Sequence, residues 1–560
     1  MKKPAFRKKP GARAEEAFEP AGDLPPAQAP RPAGAEGGAP GRSAGTRTGQ
    51  SLLAAAVVLA AVFGIAQVRR PAAPAAAGGA TPATAQVERS AAVCPQPLQG
   101  LTGSTTLTAY TPLGTGPASG GAGWLADQAA PATPPTAAPS AAPAATAPAS
   151  PAPDKNAAPA DAKLTVTKPG TPATGPATNG DAAPGTAAVA TGALAPGFTV
   201  TQTTVVTEQR GLGLSGLTCT PAGTGFWFAG ASTAGDRVDY LSLVNTESSA
   251  AVVDIKLYGD KGLIDNDAAN GITVAPGSSQ SVLLSTISKG AVTDLAVHVV
   301  VRSGRVGAAL HAADGSKGAD WIPASADPAA TQVLPGLPAD TSAARLVVWA
   351  PPEDDADLKI QLSGKNGWFT PAGNESIHVK AGMVAAVDLG KITRDEVAGL
   401  RLSPSDDKHP TPVVAGLRVD RAGGNGKSDA AWLTGSAPVG ARATVADNRA
   451  GASTLFLTST GDAATVKVTG SAGSGGGTPT TKEVQVPAGG TVAVPAPEPA
   501  GLNGVFALTV ETESGGPVAA ARMLAIPTKD VPMFTVQALR DDRSTVKVPQ
   551  AAQDPAVVLR

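Results

Sequence analysis

The sequence predicts an all-β protein: three tandem immunoglobulin-like β-sandwich repeats that follow an N-terminal transmembrane helix and disordered linkers. Two observations predict this fold. Apolar and polar residues alternate in many short runs, and the same series of runs recurs three times at a spacing of roughly 105 residues. No stretch shows sustained helical periodicity, and a chain of 560 residues is long enough for several domains.

The clearest recurring run has three apolar positions separated by single polar residues. Alternation of this kind is typical of a strand with one buried face. The three copies are Val253/Ile255/Leu257, Leu358/Ile360/Leu362 and Ala464/Val466/Val468. A second short strand follows each copy and runs into a glycine-containing turn, at 275–277, 380–382 and 487–489. These matches predict one common structural unit.

Each predicted unit contains six or seven short strands in about 100 residues, which is the size of an immunoglobulin-like sandwich. Propeller blades are shorter, at roughly 40–50 residues, so the repeat length argues against a propeller. The predicted repeats span 197–328, 329–438 and 439–550.

One segment is apolar enough to cross a membrane. Residues 51–68 carry no charge, and basic residues in the preceding tail favour a cytoplasmic N-terminus. The alternative is a cleaved signal peptide, because small residues at 73–77 resemble a cleavage site. The expectation is a single-pass protein of the cell membrane, with a disordered cytoplasmic tail over 1–50 and an extracytoplasmic C-terminal part.

The region between this segment and the first repeat is predicted to be mostly unfolded. We expect a linker at 69–84, a short β segment at 85–115 that joins the first repeat, and a disordered Pro/Ala-rich insertion at 116–196. Cys94 and Cys219 are the two cysteines of the chain. In an oxidising compartment they predict one disulfide.

Several of these runs carry a family resemblance: LVN at 243–245, VVDIKLYGDKG at 252–262, ITVAPGSSQSVLL at 272–284 and LAVHVVVRSGRVGAAL at 295–310. With the FWFAGAS run and the cysteine pair, they resemble an uncharacterised family of exported, N-terminally anchored actinobacterial proteins. The resemblance implies location and architecture but no established activity. It also implies an association with a large membrane glycosyltransferase, and hence a role in envelope polysaccharide assembly.

No motif for catalysis, cofactor binding or metal binding can be located, so none is predicted. The four histidines, His298, His311, His378 and His409, are expected to be solvated surface residues, since none has a partner motif. Acidic clusters at 265–267 and 353–357 offer oxygens to calcium, but turn-forming residues are the simpler interpretation.

The tryptophans leave two functional classes open. Trp321 and Trp432 occupy equivalent places in two repeats, which favours packing at domain ends. Trp368 lies in a predicted turn and is the best candidate for contact with a glycan. The sequence therefore predicts a non-enzymatic envelope scaffold or interaction protein. The alternative is a glycan-binding module with an envelope glycosyltransferase or cell-wall glycan as partner. A net charge of -1 argues against nucleic acid.

Overall fold

Almost all regular structure in the protein is β. The computed structural model describes residues 83–97, 103–114, 120–128, 158–180, 182–207, 211–315, 317–528 and 530–548. These residues contain 38 strands, and the one α-helix among them is α1, Leu284–Ile287. The prediction of an all-β protein is confirmed.

Thirty-six of these strands fall into four groups, which we call modules I to IV. Module I contains β2 (Arg89–Cys94), β3 (Gly103–Tyr110), β4 (Gly123–Asp127), β5 (Leu164–Val166), β6 (Ala173–Pro176), β7 (Thr186–Thr191), β8 (Thr199–Val206) and β9 (Gly213–Thr218). Module II contains β10 (Gly225–Ala231), β11 (Arg237–Asn245), β12 (Ala251–Gly259), β13 (Gly262–Ile264), β14 (Ile272–Val274), β15 (Ser278–Leu283), β16 (Leu295–Ser303), β17 (Gly307–Asp314) and β18 (Ala319–Ile322).

The other two groups follow directly along the chain. Module III contains β19 (Gln332–Leu337), β20 (Thr341–Trp349), β21 (Ala356–Gly364), β22 (Gly367–Phe369), β23 (Ser376–Val379), β24 (Val384–Asp388), β25 (Ala398–Pro404), β26 (Val414–Ala422) and β27 (Ser428–Thr434). Module IV contains β28 (Arg442–Asn448), β29 (Ser453–Ser459), β30 (Ala464–Gly470), β31 (Gly476–Thr478), β32 (Thr480–Val486), β33 (Thr491–Pro495), β34 (Ala500–Asn503), β35 (Phe506–Gly515), β36 (Val518–Ala525) and β37 (Phe534–Leu539).

Each module has two main antiparallel sheets whose strands follow a common order, and module IV also has the two-stranded sheet β31-β34. In module II the orders are β10-β16-β12-β13 and β15-β11-β17-β18, and in module III they are β19-β25-β21-β22 and β24-β20-β26-β27. Module IV has β28-β35-β30-β32 and β33-β29-β36-β37, and module I has β2-β7-β4-β5 and β6-β3-β8-β9. In every module both sheets contribute buried apolar residues to a shared core.

The alternating runs of the sequence account for these cores. In β12, β21 and β30 the three apolar positions of each run are buried, whereas the polar positions between them are mostly more exposed. Successive side chains of a strand point to opposite faces, so this period of two places one face of each strand on the core. The glycine turns that follow begin the return of the chain to the other sheet, at β15, β24 and β33.

Module I lies partly within the range that the sequence analysis assigned to a disordered insertion. That prediction is wrong at β4, β5, β6 and β7, which fall between residues 116 and 196. The strands were missed because their core residues are small: Ala188 and Ala190 are fully buried in the module I core. Alanine-rich composition looks like a low-complexity tract, although here it supplies the inward face of a strand.

The boundary predicted at residue 197 also requires correction. β8 and β9 follow that residue, but β8 pairs with β3 and β9 pairs with β8, so both belong to module I. The segment 85–115 supplies β2 and β3 to the same module and does not extend module II. Module II begins only at β10, and a fourth module precedes the three that were predicted.

The last strands of the modules bring the four together. β9 contacts β18, β18 contacts β27, β27 contacts β37, and β37 contacts β9. We call these four strands the central junction. Outside it, β10 packs on β26, β19 on β36 and β28 on β8, so each of these contacts joins the first strand of one module to another module. Modules I and IV therefore touch, and the four modules form a closed ring.

The ends of the described chain meet in a two-stranded sheet, the terminal ribbon. It consists of β1 (Ala83–Gln86) and β38 (Thr545–Val548), which pair antiparallel from Ala83↔Val548 to Gln86↔Thr545. All eight residues are exposed. Strand pairing thus joins the segment that enters module I to the segment that leaves module IV.

The described residues contain no helix with the length and apolar character needed to cross a membrane. The predicted transmembrane segment, 51–68, and the predicted cytoplasmic tail, 1–50, lie outside the described residues.

Candidate functional site at the central junction

The two cysteines cross-link the two sheets of module I. Cys94 ends β2 and Cys219 follows β9, and a disulfide joins them across a sequence separation of 125 residues. Their Cα atoms are 4.7 Å apart, and both residues are buried in the module I core. The bond therefore fixes the first strand of module I to its last.

Trp368, the predicted glycan contact, is half-buried on β22. The Arg401 guanidinium lies 4.3 Å from the ring centroid, and the backbone of Gly489 in module IV packs against the Cδ1 edge of the indole. The indole N–H is buried without a hydrogen-bond partner. This side chain is part of the contact between modules III and IV, and the Arg401 guanidinium lies over one face of its ring.

The other tryptophans of the repeat region also lie in contacts between modules. Trp432 is fully buried and belongs to the core cluster of module II, although it is on β27 of module III. Trp349 of module III packs on Trp227 of module II, with ring centroids 4.2 Å apart. Trp321 is buried on β18. The expected packing role of Trp321 and Trp432 agrees with these positions.

Two histidines that were expected on the solvated surface are covered. His298 stacks on Trp227, with centroids 3.7 Å apart and planes inclined by 8°. His311 is buried, and its Nε2 lies 3.2 Å from the Ser215 hydroxyl of module I. The prediction is wrong for both because neighbouring chain segments cover the outward face of their sheets. Alternation within one strand reports which face a residue is on, but not what covers that face.

The other two histidines are exposed and have carboxylate neighbours. His378 Nδ1 is 2.7 Å from Asp357, and His409 Nδ1 is 3.2 Å from Asp406. In the acidic cluster at 265–267, Asn266 accepts a hydrogen bond from the Ala268 N–H, as in a turn, whereas Asp357 of the other cluster lies on β21. Within the described parts of the chain, no three His, Cys, Asp or Glu side chains are grouped so that they could hold a metal ion.

The central junction contains a carboxylate that sequence reasoning missed. Asp429 is fully buried on β27. Its Oδ2 accepts the backbone N–H of Leu214 at 3.3 Å and of Phe534 at 2.8 Å, and its Oδ1 accepts that of Ala430 at 2.9 Å. The backbone N–H of Ala319 also donates a hydrogen bond to this carboxylate. These four donors lie on β9, β37, β27 and β18, one in each module.

Glycines make room for this carboxylate. A Cβ atom at Gly213 or Gly318 would overlap Asp429 Oδ1, and Gly318 has a φ of +120° that side-chain-bearing residues rarely adopt. The backbones of β9 and of the turn before β18 therefore approach the carboxylate closely. Gly213, the first residue of β9, and Gly318, directly before β18, are the signal in the sequence that could have indicated a close approach of backbone to a side chain.

A second carboxylate, Asp320, lies in the same junction. Its Oδ1 accepts the N–H of Gly216 in module I and its own neighbour Trp321, both at 2.8 Å. Burial raises the pKa of Asp429 to about 8 against the pull of the N–H groups, and raises the pKa of Asp320 well above its usual value. The two acidic side chains of the junction thus accept hydrogen bonds from backbone N–H groups of other modules, and these bonds connect the modules.

Burial also shifts the covered histidines, but in the opposite direction. Removal from water lowers the pKa of His298 to about 4, with a further contribution from Lys256. The pKa of His311 is lowered to about 4 as well, by burial and then by Arg237. Both imidazoles are therefore neutral at pH 7. They act as aromatic and hydrogen-bonding contacts in this state.

We expect His311 to make the protein less stable in acid. The unfolded imidazole takes up a proton below about pH 6.5, whereas the folded one does so only near pH 4, so stability falls as the pH drops through this window. The loss attributable to His311 is on the order of 3 kcal/mol. Urea unfolding at a series of pH values, for the protein and for His311→Gln, measures it as a difference between the two profiles.

The two stability profiles must be subtracted because the buried carboxylates change the stability with pH in the opposite direction to His311. The folded pKa of Asp429 lies above its unfolded value, so its contribution to stability decreases as the pH rises from about 4 to about 8. His378→Gln, at an exposed histidine, is the matched control and should change the profile much less than His311→Gln does. A His311→Gln profile parallel to that of the parent protein would contradict the expectation.

The fold and the junction together define an all-β protein of linked two-sheet modules, in which buried acidic and imidazole side chains hold modules to one another. Residues 173–497 match a family of unknown function, DUF5719. This range is more than half of the 560 residues, so the chain belongs to that family. It begins at β6 of module I and ends just after β33 of module IV. No curated protein matches the chain.

Proposed function

We propose that this chain is a non-enzymatic scaffold or interaction protein of the cell envelope, built from four immunoglobulin-like β-sandwiches. The observation that carries the proposal is the placement of its reactive side chains. His311, Asp320 and Asp429 are engaged in contacts between modules, and His298 stacks on Trp227 within module II. Side chains engaged in such contacts stabilise the arrangement of the modules. The exposed loops and hairpins remain accessible to partners.

The membrane location in this proposal comes from the sequence. The apolar segment 51–68 is proposed to anchor the chain, with the modules on the extracytoplasmic side. The Cys94–Cys219 disulfide is consistent with an oxidising compartment. The proposed partners are an envelope glycosyltransferase or a cell-wall glycan, and nucleic acid is not among them.

Exposed apolar side chains on two equivalent hairpins are suitable positions for a probe. Leu263 on β13 and Phe369 on β22 are 54% and 42% exposed. Glycan binding through Trp368 is the alternative, but the Arg401 guanidinium over that ring gives it less support than the scaffold.

We expect a photo-crosslinking residue at Leu263 or Phe369 of the full-length chain, in native membranes, to give a defined adduct with an envelope component. The same residue at Val546 in the terminal ribbon, 47% exposed, is the matched control and should not give that adduct. Mass spectrometry then distinguishes a protein partner from a polysaccharide.

Two results would count against the scaffold. Absence of any defined adduct from both hairpins would remove the interaction role. A shift in tryptophan fluorescence on adding cell-wall polysaccharide, lost in Trp368→Phe, would favour the glycan-binding alternative.

A further inference from the structure

One contact of the ring differs from the other three in how the chain supports it. Modules I and II, II and III, and III and IV follow one another directly along the chain. Modules IV and I are neighbours in space but have no such connection, and we call their contact the seam. It contains a small cluster of Tyr110, Ala446 and Ala507, and a hydrogen bond from Thr444 Oγ1 to the Gly197 carbonyl of 3.3 Å.

Asp429 reaches the seam from module III. Its Oδ2 accepts the Leu214 N–H of module I and the Phe534 N–H of module IV. A single carboxylate oxygen therefore bridges the two sides of the seam. Neither β9 nor β37 carries an acidic or basic residue of its own, and the second buried acid of the junction is Asp320 of β18, whose pKa is raised by burial and, to a smaller extent, by Asp429.

We propose that the Asp429 carboxylate holds modules I and IV together at the seam. The backbone N–H groups around it form a binding site for a small carboxylate, and this side chain occupies that site. Buried N–H groups that lose an acceptor are costly, because they have also lost water. Removal of the carboxylate therefore favours separation of modules I and IV, where water can reach both donors. The seam then depends on the terminal ribbon and on its remaining contacts, which include the Tyr110/Ala446/Ala507 cluster and the Thr444–Gly197 hydrogen bond.

Hydrogen exchange on the full-length chain tests this proposal with Asp429→Ala. Amides of β28, the module IV edge strand at the seam, and of the terminal ribbon should exchange about tenfold faster or more. The matched control is Asp254→Ala: this buried carboxylate binds Arg302 and the Gly271 N–H within module II alone. That variant should affect β12 and leave the seam amides unchanged. Seam exchange in Asp429→Ala that equals the parent or the control would overturn the proposal.

Two further experiments distinguish a specific loss of the contact between modules I and IV from a general loss of stability. Formate, the smallest carboxylate, should slow seam exchange in Asp429→Ala and leave Asp254→Ala unaffected. A disulfide between Thr84→Cys and Lys547→Cys, which face each other in the ribbon register, should reduce the seam exchange of Asp429→Ala. If Asp429→Ala cannot be purified, Asp429→Asn, which loses one acceptor oxygen, takes its place. A lack of response to both formate and the cross-link would contradict the proposal.

Discussion

Replacing Trp432 by alanine is expected to lower the free energy of unfolding by about 3–5 kcal/mol. The indole is fully buried in the core cluster of module II while its backbone belongs to module III, so its loss leaves a cavity in the contact between them. Its Cδ1 lies 3.3 Å from the position that a Cβ on Gly230 would occupy, and the Arg237 and Arg418 guanidinium groups lie 5.2 and 5.5 Å from the ring centroid. Urea unfolding followed by circular dichroism measures the change.

Trp368→Ala is the matched control for this prediction. Trp368 is half-buried and also lies between two modules, so the same substitution removes less buried surface there. We expect a loss below about 2 kcal/mol for that variant. A Trp432→Ala loss no larger than that of Trp368→Ala would show that Trp432 is not a packing centre of the module II–III contact.

Removing the disulfide is expected to destabilise module I by about 4–5 kcal/mol in the chain-entropy model. The bond closes a loop of 125 residues, and the model relates the stabilisation to the length of the loop that the bond constrains in the unfolded chain. The core of module I is rich in alanine, which buries little area per residue, so the cross-link is a large part of its support.

The measurement compares the parent protein with Cys94→Ser/Cys219→Ser in urea unfolding, with hydrogen exchange to assign the loss to module I. Titration should find no free thiol in the unreduced parent and two after reduction in denaturant. A double-serine variant as stable as the parent would indicate that strain or residual structure cancels the entropic gain. Two free thiols in the unreduced protein would contradict the bond itself.

Modules II, III and IV contain the features that the sequence predicted best. The alternation in β12, β21 and β30 marks strands with one buried face, and that inference needs only the local geometry of a strand. Module I was missed because Ala188 and Ala190 carry too little apolar surface to produce the same contrast. The sequence of module I nevertheless contains one similarity to module II: Leu164–Val166 runs into a turn ending at Gly170, as Ile272–Val274 runs into one ending at Gly277.

The all-β class, the positions of most strands and the faces they bury follow from alternation along single strands, which is a local property of the sequence. The closure of the modules into a ring, the covering of His298 and His311, and the binding of Asp429 to backbone of all four modules arise only when the sheets pack together. Its donors Leu214 and Phe534 are separated from it by 215 and 105 residues. No local pattern encodes a contact of that range, because it depends on how whole sheets pack against one another.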